Sequence, residues 1–280
     1  MSFKFTKMQG LGNDFVVIDA VTQPVDISQD LARQLADRHY GVGCDQVLIV
    51  ERYHGDAADF NYRIFNADGS EVAQCGNGAR CVGRFIKEKL SDKKNIRLAT
   101  KSSVLKVSVE DDGLVQLSMS APSFEPESIP FEAQVASRKH DDSVTFSFGE
   151  TVIDCGVVSV GNPHAVMVVS AFDIEKMNVN AKFLGSHPAF PEGVNVGFMK
   201  IISPDRIELQ VYERGVGFTK ACGSGACAAV VIGRMQGLLG SVVEVSQPGG
   251  SLRVQWDGAD GNILLTGSAE FVFEGSWGTF

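Results

Sequence analysis

Two cysteines stand in matching short sequences. Cys75 opens Cys-Gly-Asn-Gly and Cys222 opens Cys-Gly-Ser-Gly, and an apolar segment of helical character follows each string directly. Each cysteine is therefore expected at a helix N-terminus, where free N–H groups and the helix dipole attract a carboxylate. The same field stabilises a thiolate and can lower the pKa of a cysteine below its usual value.

This pair suits proton transfer at a carbon next to a carboxylate. One sulfur, as thiolate, would remove the α-proton, and the other, as thiol, would deliver a proton to the opposite face. The pattern predicts racemisation or epimerisation. The alternative is that free cysteines are small buried hydrophobes. We keep that interpretation for Cys81 and Cys227, which lie inside the predicted helices, and find no catalytic context for Cys44 or Cys155.

Other polar residues repeat in the same order in both halves of the chain. Asn13 and Gln46 are 33 residues apart, as are Asn162 and Asn195. Asn66 precedes Cys75 by nine residues, and Glu213 precedes Cys222 by nine. Isolated Asn and Gly residues usually mark turns. Ordered anchors at near-equal spacing instead indicate two related domains, with the thiols facing each other across a cleft.

Short alternating segments predict many strands and few helices. The strands include Phe3–Met8, Phe60–Asn66, Ser103–Glu110 and Arg206–Tyr212, and the four helices are Ser28–Arg38, Gly78–Lys89, Asp173–Leu184 and Gly225–Met235. Strands outnumber helices without strict alternation, which favours an α+β fold. We predict two pseudo-symmetric domains, each a mainly antiparallel sheet wrapped around a central helix, with the active site between them.

The predicted domain boundary lies near Ala121-Pro122, where several prolines interrupt the strand pattern. The first domain covers residues 1–120 and the second residues 121–269. A strand near Glu270–Phe273 is expected to return and complete the first domain, so that residues 270–280 belong to it.

Composition and charge narrow the possible partners. The 280 residues carry a net charge of −9, which argues against binding to nucleic acid or an anionic membrane. No apolar stretch has the length of a signal peptide or a membrane-spanning helix, so a cytoplasmic protein is expected. The cysteines form no CxxC pair and the five histidines are scattered, so no metal site is expected.

With these motifs in view, the chain closely resembles the diaminopimelate epimerase family along its whole length. The matching segments are Met8–Phe15, Gly43–Gln46, Phe65–Ser70, Gln74–Cys81, Gly161–His164, Glu213–Gly215 and Ala221–Gly225. The resemblance implies interconversion of LL- and meso-diaminopimelate, in lysine biosynthesis and peptidoglycan precursor supply, without pyridoxal phosphate, metal or other cofactor. It also implies a homodimer.

The resemblance also implies roles for particular residues. Cys75 and Cys222 match the acid/base pair, and His164 and Glu213 match residues that act with it in catalysis. Backbone donors to the reacting carboxylate are expected from Gly76, Asn77, Gly223 and Ser224. The remaining substrate contacts are expected from Asn13, Gln46, Asn66, Asn162, Asn195, Glu213 and Arg214. Arg214 is suited to grip a distal carboxylate bidentately, and Glu213 to pair with an ammonium group.

Two positions depart from the family pattern. Phe218 stands where the family usually has an acidic residue, and Phe273 stands where some members have a tyrosine at the dimer contact. The first affects the loop before Cys222, and the second affects the strength of the dimer.

Two other functions remain open at this point. A proline or hydroxyproline racemase of the same superfamily would share the fold and the thiol pair, but its substrate has one carboxylate and a ring nitrogen. A protein that only captures amino acids would need no matched thiols. Glu213-Arg214-Gly215 and the amide residues favour the longer substrate with two amino acid centres.

Overall fold

The computed structural model describes residues 2–132, 137–138, 143–148, 151–258 and 261–278. The fold is α+β, with a mixed sheet that contains both antiparallel and parallel strand pairs. The chain divides into two compact units. The first comprises Met1–Ser118 with Thr266–Phe280, and the second comprises Met119–Leu265.

The first unit contains two α-helices and a set of short strands. The helices are α1 (Gln29–Ala36) and α2 (Gly76–Lys89). The strands are β1 (Phe3–Gly10), β2 (Asn13–Asp19), β3 (Gln46–Arg52), β4 (Phe60–Asn66), β5 (Glu71–Val72), β6 (Asn95–Ala99), β7 (Val104–Val109), β8 (Val115–Met119) and, near the carboxyl end of the chain, β19 (Glu270–Trp277). Strand β19 pairs with β1 and lies in the first unit.

Strand pairing in the first unit is mainly antiparallel. β1 lies between β2 and β19 and is antiparallel to both, and β3–β4, β6–β7 and β7–β8 are antiparallel. The parallel pairs are β2–β3 and β4–β6. In the β2–β3 pair, Phe15 lies opposite Gln46, so both strands begin at the same edge of the sheet. This edge carries Asn13 and Gln46.

The second unit repeats this order of elements. Its strands are β9 (Ser137–Arg138), β10 (Val144–Phe148), β11 (Thr151–Ser159), β12 (Pro163–Val168), β13 (Asn195–Ser203), β14 (Arg206–Glu213), β15 (Gly217–Phe218), β16 (Val242–Gln247), β17 (Gly250–Gln255) and β18 (Ile263–Gly267). Its helices are α3 (Ile174–Gly185) and α4 (Gly223–Met235), with a 3-10 turn at Pro126–Ser128.

The pairing in the second unit has the same senses as in the first. β12–β13 and β14–β16 are parallel, whereas β11–β12, β13–β14 and β16–β17 are antiparallel. His164 lies opposite Asn195 in the parallel β12–β13 pair. Asn162, which directly precedes β12, therefore lies at the same sheet edge as Asn195.

One buried helix packs against the sheet of each unit. Helix α2 contacts β1, β2, β3 and β7, and helix α4 contacts β11, β12, β13, β14 and β17. Each helix has nine buried residues, which explains why a segment rich in small residues forms a stable helix here. Small residues also allow the helix to lie close to the strands of the sheet. A Cβ atom on Gly83 would lie 2.4 Å from Val107 Cγ1.

The four predicted helices are confirmed, with ends that differ by at most two residues. α2 and α4 begin two residues earlier than predicted, at Gly76 and Gly223. Glycine disfavours a helix interior, but at these first positions the preceding cysteine side chain caps the helix and offsets that preference. Cys81 and Cys227 are fully buried, as predicted. No helix in the described part of the chain is long and apolar enough to cross a membrane.

Candidate active site

Cys75 occupies the N-cap position of α2. Its backbone is extended (φ −150°, ψ 109°), and its Sγ accepts a hydrogen bond from the Gly78 N–H at 3.3 Å. The side chain is half-buried, and the Tyr62 hydroxyl donates to the Cys75 carbonyl at 3.5 Å. The sulfur therefore takes the place of the hydroxyl or carboxylate that usually caps a helix, and it lies in the positive field of the helix dipole.

Cys222 occupies the same position at the start of α4. Its Sγ accepts from the Gly225 N–H at 3.4 Å. Gln247 holds the Cys222 backbone on both sides, because its Oε1 accepts from the Cys222 N–H at 2.8 Å and its Nε2 donates to the Cys222 carbonyl at 3.3 Å. Gln247 thus fixes the residue from a strand 25 positions along the chain.

The pKa of Cys222 is raised, although a helix terminus alone favours a lowered value. Burial raises the pKa of this thiol to about 12, and the nearby Glu213 carboxylate adds to the increase. Hydrogen bonds from Ser224 and from the Gly225 N–H act in the opposite direction but are outweighed. Loss of hydration destabilises the thiolate more than the helix terminus stabilises it, so the net effect on the pKa is an increase. Cys222 is therefore a thiol at neutral pH.

Glu213 ends strand β14 and is oriented by Thr219. The Thr219 hydroxyl donates to Glu213 Oε1 at 2.5 Å, across the short β14–β15 hairpin. Phe218, in the same hairpin, packs edge-on against Tyr212 with ring centroids 5.2 Å apart. The apolar residue at position 218 therefore stabilises the loop before Cys222 by aromatic packing.

His164 is fully buried and belongs to a hydrogen-bonded chain that reaches Cys222. Its Nε2 lies 3.1 Å from Asn162 Oδ1 and 3.1 Å from Ser224 Oγ, and Ser224 Oγ lies 3.5 Å from Cys222 Sγ. Burial lowers the pKa of His164 to about 3, so the ring is neutral. Since Asn162 Oδ1 only accepts, we place the proton on Nε2. Nδ1 then carries the lone pair, and it has no hydrogen-bond partner among the described residues.

The amide side chains of the first unit present acceptor oxygens. Gln46 Nε2 donates to Asn66 Oδ1 at 2.9 Å, and Asn66 Nδ2 donates to Ser70 Oγ at 3.1 Å. This leaves Gln46 Oε1 buried and without a partner in the part of the chain that the structure describes. Asn13 Nδ2 donates to Asp45 Oδ2 at 2.7 Å. A substrate group that donates hydrogen bonds would satisfy these oxygens.

The second unit presents donors instead. Asn195 Oδ1 accepts from the Arg214 N–H at 2.9 Å, and Asn162 Oδ1 accepts from His164. Neither amide nitrogen has a hydrogen-bond partner among the described residues. The Arg214 side chain is exposed, and its Nη1 donates to the Glu192 carbonyl at 2.5 Å. Two amide nitrogens and a guanidinium form a set of donors that suits a carboxylate.

The remaining predicted contacts lie in the first turns of α2 and α4. Gly76, Asn77, Gly223 and Ser224 follow the two cysteines directly, where helix N–H groups have no partner within the helix. The Asn77 side chain is held by Arg80, whose Nη2 donates to Asn77 Oδ1 at 3.0 Å. Within the described ranges, no group of three or more His, Cys, Asp or Glu side chains is placed to hold a metal ion.

Several residues that orient the site were not predicted from the sequence. Asp45, Arg80, Thr219 and Gln247 each fix a predicted site residue by a hydrogen bond. Asp45 and Arg80 lie inside the matching motifs, and that position could have identified them as candidate site residues. Gln247 lies in an ordinary strand, and no motif distinguishes it.

The sequence matches the family model described as diaminopimelate epimerase over residues 5–125 and 156–272. The chain belongs to the diaminopimelate epimerase family. The match covers both CGxG strings and both sets of polar anchors, and it confirms the resemblance drawn from the motifs. Membership in this family supports an isomerase.

Solved structures with the same fold are distant in sequence. A Bacillus anthracis phenazine biosynthesis protein of the PhzF family superposes with a TM-score of 0.66 at 16% identity, with 100% of both chains covered. An Agrobacterium vitis hydroxyproline epimerase, solved with trans-4-OH-L-proline, gives a TM-score of 0.65 at 15% identity over 99% of this chain and 91% of that one. A methylitaconate-delta-isomerase gives 0.66 at 14% identity over 99% and 95%. At these identities the likeness establishes the fold alone.

Proposed function

We propose that this chain is a diaminopimelate epimerase that interconverts the LL and meso forms by two-base proton transfer between Cys75 and Cys222. The observation that carries the proposal is that both cysteines are N-caps of buried helices, each with its sulfur bonded to the N–H of the third following residue. A protein that only captures amino acids could use the anion-binding helix termini but would have no need for a sulfur at each of them.

The proposed reaction begins with the substrate carboxylate at the N–H groups of the two helix starts. One thiolate takes the α-proton, the carbanion is stabilised by the helix termini, and the opposite thiol returns a proton to the other face. Because burial and Glu213 raise the pKa of Cys222, we propose that Cys222 enters this cycle as the thiol. The role of the base that removes the α-proton then falls to Cys75. After one turnover the roles are reversed.

The polarity of the amide groups supports a substrate with two amino acid centres. Carboxylate binding is favoured by the nitrogens of Asn162 and Asn195 together with Arg214, and ammonium binding by the free oxygen of Gln46. A proline-like substrate has no second carboxylate for the Arg214 set. The proposal also includes two pseudo-symmetric domains and a cytoplasmic location. It includes a homodimer as well, and light scattering in solution would test that oligomeric state.

The decisive experiment is α-proton exchange in D₂O, with LL-diaminopimelate and the two proline enantiomers supplied separately. We expect α-proton exchange with LL-diaminopimelate and none with either proline enantiomer. Exchange with proline alone would support the racemase, and binding of diaminopimelate without exchange would support a capture protein.

Single replacements test the thiol pair. Cys75→Ala and Cys222→Ala should each reduce epimerisation by roughly 10²–10⁴-fold in both directions, since each direction needs an acid and a base. Cys81→Ala and Cys227→Ala are matched controls in the same two helices and should keep turnover near normal. Normal turnover of Cys75→Ala would contradict the two-base assignment.

A further inference from the structure

The Asn13 side chain has a defined orientation because its hydrogen-bond partner is a carboxylate. Asn13 Nδ2 donates to Asp45 Oδ2 at 2.7 Å. An ionised carboxylate only accepts hydrogen bonds, so the reversed amide would place two acceptor oxygens together. The amide nitrogen therefore faces Asp45, and the carbonyl oxygen Oδ1 points away. Among the described residues, nothing donates a hydrogen bond to that oxygen.

Asp45 is in turn held from several sides. Its Oδ2 also accepts from the Asp14 N–H at 3.1 Å, and its Oδ1 accepts from Arg38 Nη2 at 2.8 Å. The Asp45 N–H donates to the Asp14 carbonyl at 3.0 Å and lies 3.2 Å from Asp14 Oδ1. A half-exposed aspartate normally samples several rotamers, and these contacts favour the one observed.

Asp14 anchors this arrangement in the interior. Its carboxylate accepts from Arg38 at 2.7 Å and from the nearly buried Lys7 ammonium, which also donates to the Gly43 carbonyl. Burial alone would raise the pKa of Asp14, but the hydrogen bonds from Arg38 and Lys7 outweigh it and hold the pKa well below its usual value. Two cations and two carboxylates thus form a charge-balanced cluster that contacts Asn13 through Asp45.

We propose that Asp45 is a positioning residue that fixes the Asn13 amide with its carbonyl oxygen toward the substrate, so that Asn13 selects an ammonium over a carboxylate. The inference rests on the proposed function in one respect, the role of Asn13 in substrate binding. Gln46 supports it independently, because its buried Oε1 is a second acceptor without a described partner at the start of the adjacent parallel strand. Through Asn13, Asp45 thereby makes this edge of the site present hydrogen-bond acceptors.

A double-mutant cycle distinguishes positioning from a general structural role. Asp45→Ala should raise the KM for LL-diaminopimelate roughly tenfold, the size expected for one charge-assisted hydrogen bond, and change kcat by less than about threefold. In the Asn13→Ala background, Asp45→Ala should change KM by less than about twofold, because the group that it orients is gone. Asp45→Glu, which keeps the acceptor, should recover part of the affinity.

Asp59→Ala is a matched control. Asp59 also accepts from two cations, Lys93 and Arg97, but it does not contact Asn13. Its loss should lower stability and leave KM near that of the unmodified protein. If Asp45→Ala raised KM equally in the unmodified protein and in the Asn13→Ala background, or left KM unchanged, the positioning role would be overturned.

A measurement that needs no turnover separates this inference from the proposed function. In ¹⁵N-labelled protein, the Asn13 side-chain NH₂ signals, assigned by their loss in Asn13→Ala, should be well separated and slow to exchange with solvent. Asp45→Ala should bring them together and accelerate exchange, whereas Asp59→Ala should not. Unchanged signals in Asp45→Ala would overturn the inference even if the enzyme is active. Failure of α-proton exchange with normal signals would overturn only the proposed function.

Discussion

Arg214 contributes to the site through two separate groups. Its backbone N–H holds the Asn195 side chain, whereas its exposed guanidinium donates to the Glu192 carbonyl and remains able to bind a carboxylate. A side-chain replacement therefore removes the proposed distal clamp and leaves the Asn195 contact in place. This separation makes Arg214 a clean test of substrate choice.

Arg214→Met should reduce kcat/KM for LL-diaminopimelate roughly ten- to a hundredfold, since a hydrogen bond to a charged group contributes about 1.5–3 kcal/mol. Alkylation of Cys75 and Cys222 should proceed at a nearly normal rate. Arg206→Met, at the exposed opposite end of β14, is the control. An unchanged kcat/KM in Arg214→Met would exclude this residue as the distal clamp.

His164 links the site to the acid stability of the fold. Burial lowers its folded-state pKa to about 3, below the ordinary value of 6.5, so the unfolded chain binds a proton that the folded chain does not. The stability contributed by the neutral ring is fully present above about pH 6.5 and is lost as the pH falls toward 3. Each pH unit in that window costs about 1.4 kcal/mol per proton.

Between about pH 7 and pH 5, the protein should therefore lose about 2 kcal/mol more than His164→Gln, which cannot take up that proton. Urea unfolding of both proteins at the two pH values measures the difference. His187, whose pKa burial also lowers, is present in both and cancels. Equal losses in the two proteins would show that His164 is not kept neutral by the fold.

At the scale of elements, the start of each buried helix is formed by a cysteine cap and a glycine that fits against the sheet. A Cβ atom on Gly78 would lie 2.4 Å from the buried Tyr62 hydroxyl, and one on Gly225 would lie 2.8 Å from Val211 Cγ2. The last glycine of each CGxG string thus has no room for a side chain, and its N–H bonds the cysteine sulfur. Close packing and sulfur capping depend on the same residue.

Gly78→Ala should destabilise the fold by about 1–3 kcal/mol through overpacking, despite the better helix propensity of alanine, and should lower turnover by displacing Cys75. Gly185→Ala is the control, because a Cβ there meets nothing within 4 Å. Thermal unfolding and exchange kinetics report the two effects. A Gly78→Ala protein with unchanged Tm and turnover would show that the helix start tolerates displacement.

At the scale of the whole molecule, the two proposed catalytic thiols belong to different units of the chain. The proposed mechanism requires both sulfurs to reach one substrate carbon, and thiols that flank one carbon come close to disulfide range when the substrate is absent. Mild oxidation should therefore join Cys75 to Cys222 and inactivate the protein, with recovery on reduction. Peptide mapping identifies the bridge, and Cys75→Ala should not form it.

The other four cysteines provide an internal control for that experiment. Cys44, Cys81, Cys155 and Cys227 are buried in the described structure and should remain as thiols. A bridge that contains any of them and accounts for the inactivation would contradict the shared-carbon mechanism.

The sequence by itself determined the elements and the family. Alternation of apolar residues located strands such as Phe60–Asn66, and the CGxG strings located the starts of α2 and α4 to within two residues. These features follow from interactions over a few positions, such as side-chain periodicity, capping and glycine geometry. The ordered motifs were also sufficient to recognise the family, because a family is defined by residue types at particular spacings, and both can be seen in the sequence.

Only the tertiary structure decided how the site residues are protonated and oriented. The helix terminus at Cys222 is visible in the sequence and by itself favours a lowered pKa, but burial and Glu213 raise the pKa of this thiol. Asn13 was expected to bind substrate, but the direction of its amide is determined by Asp45, 32 residues away. Desolvation and long-range hydrogen bonds depend on which distant segments pack together, and local sequence patterns do not encode that packing.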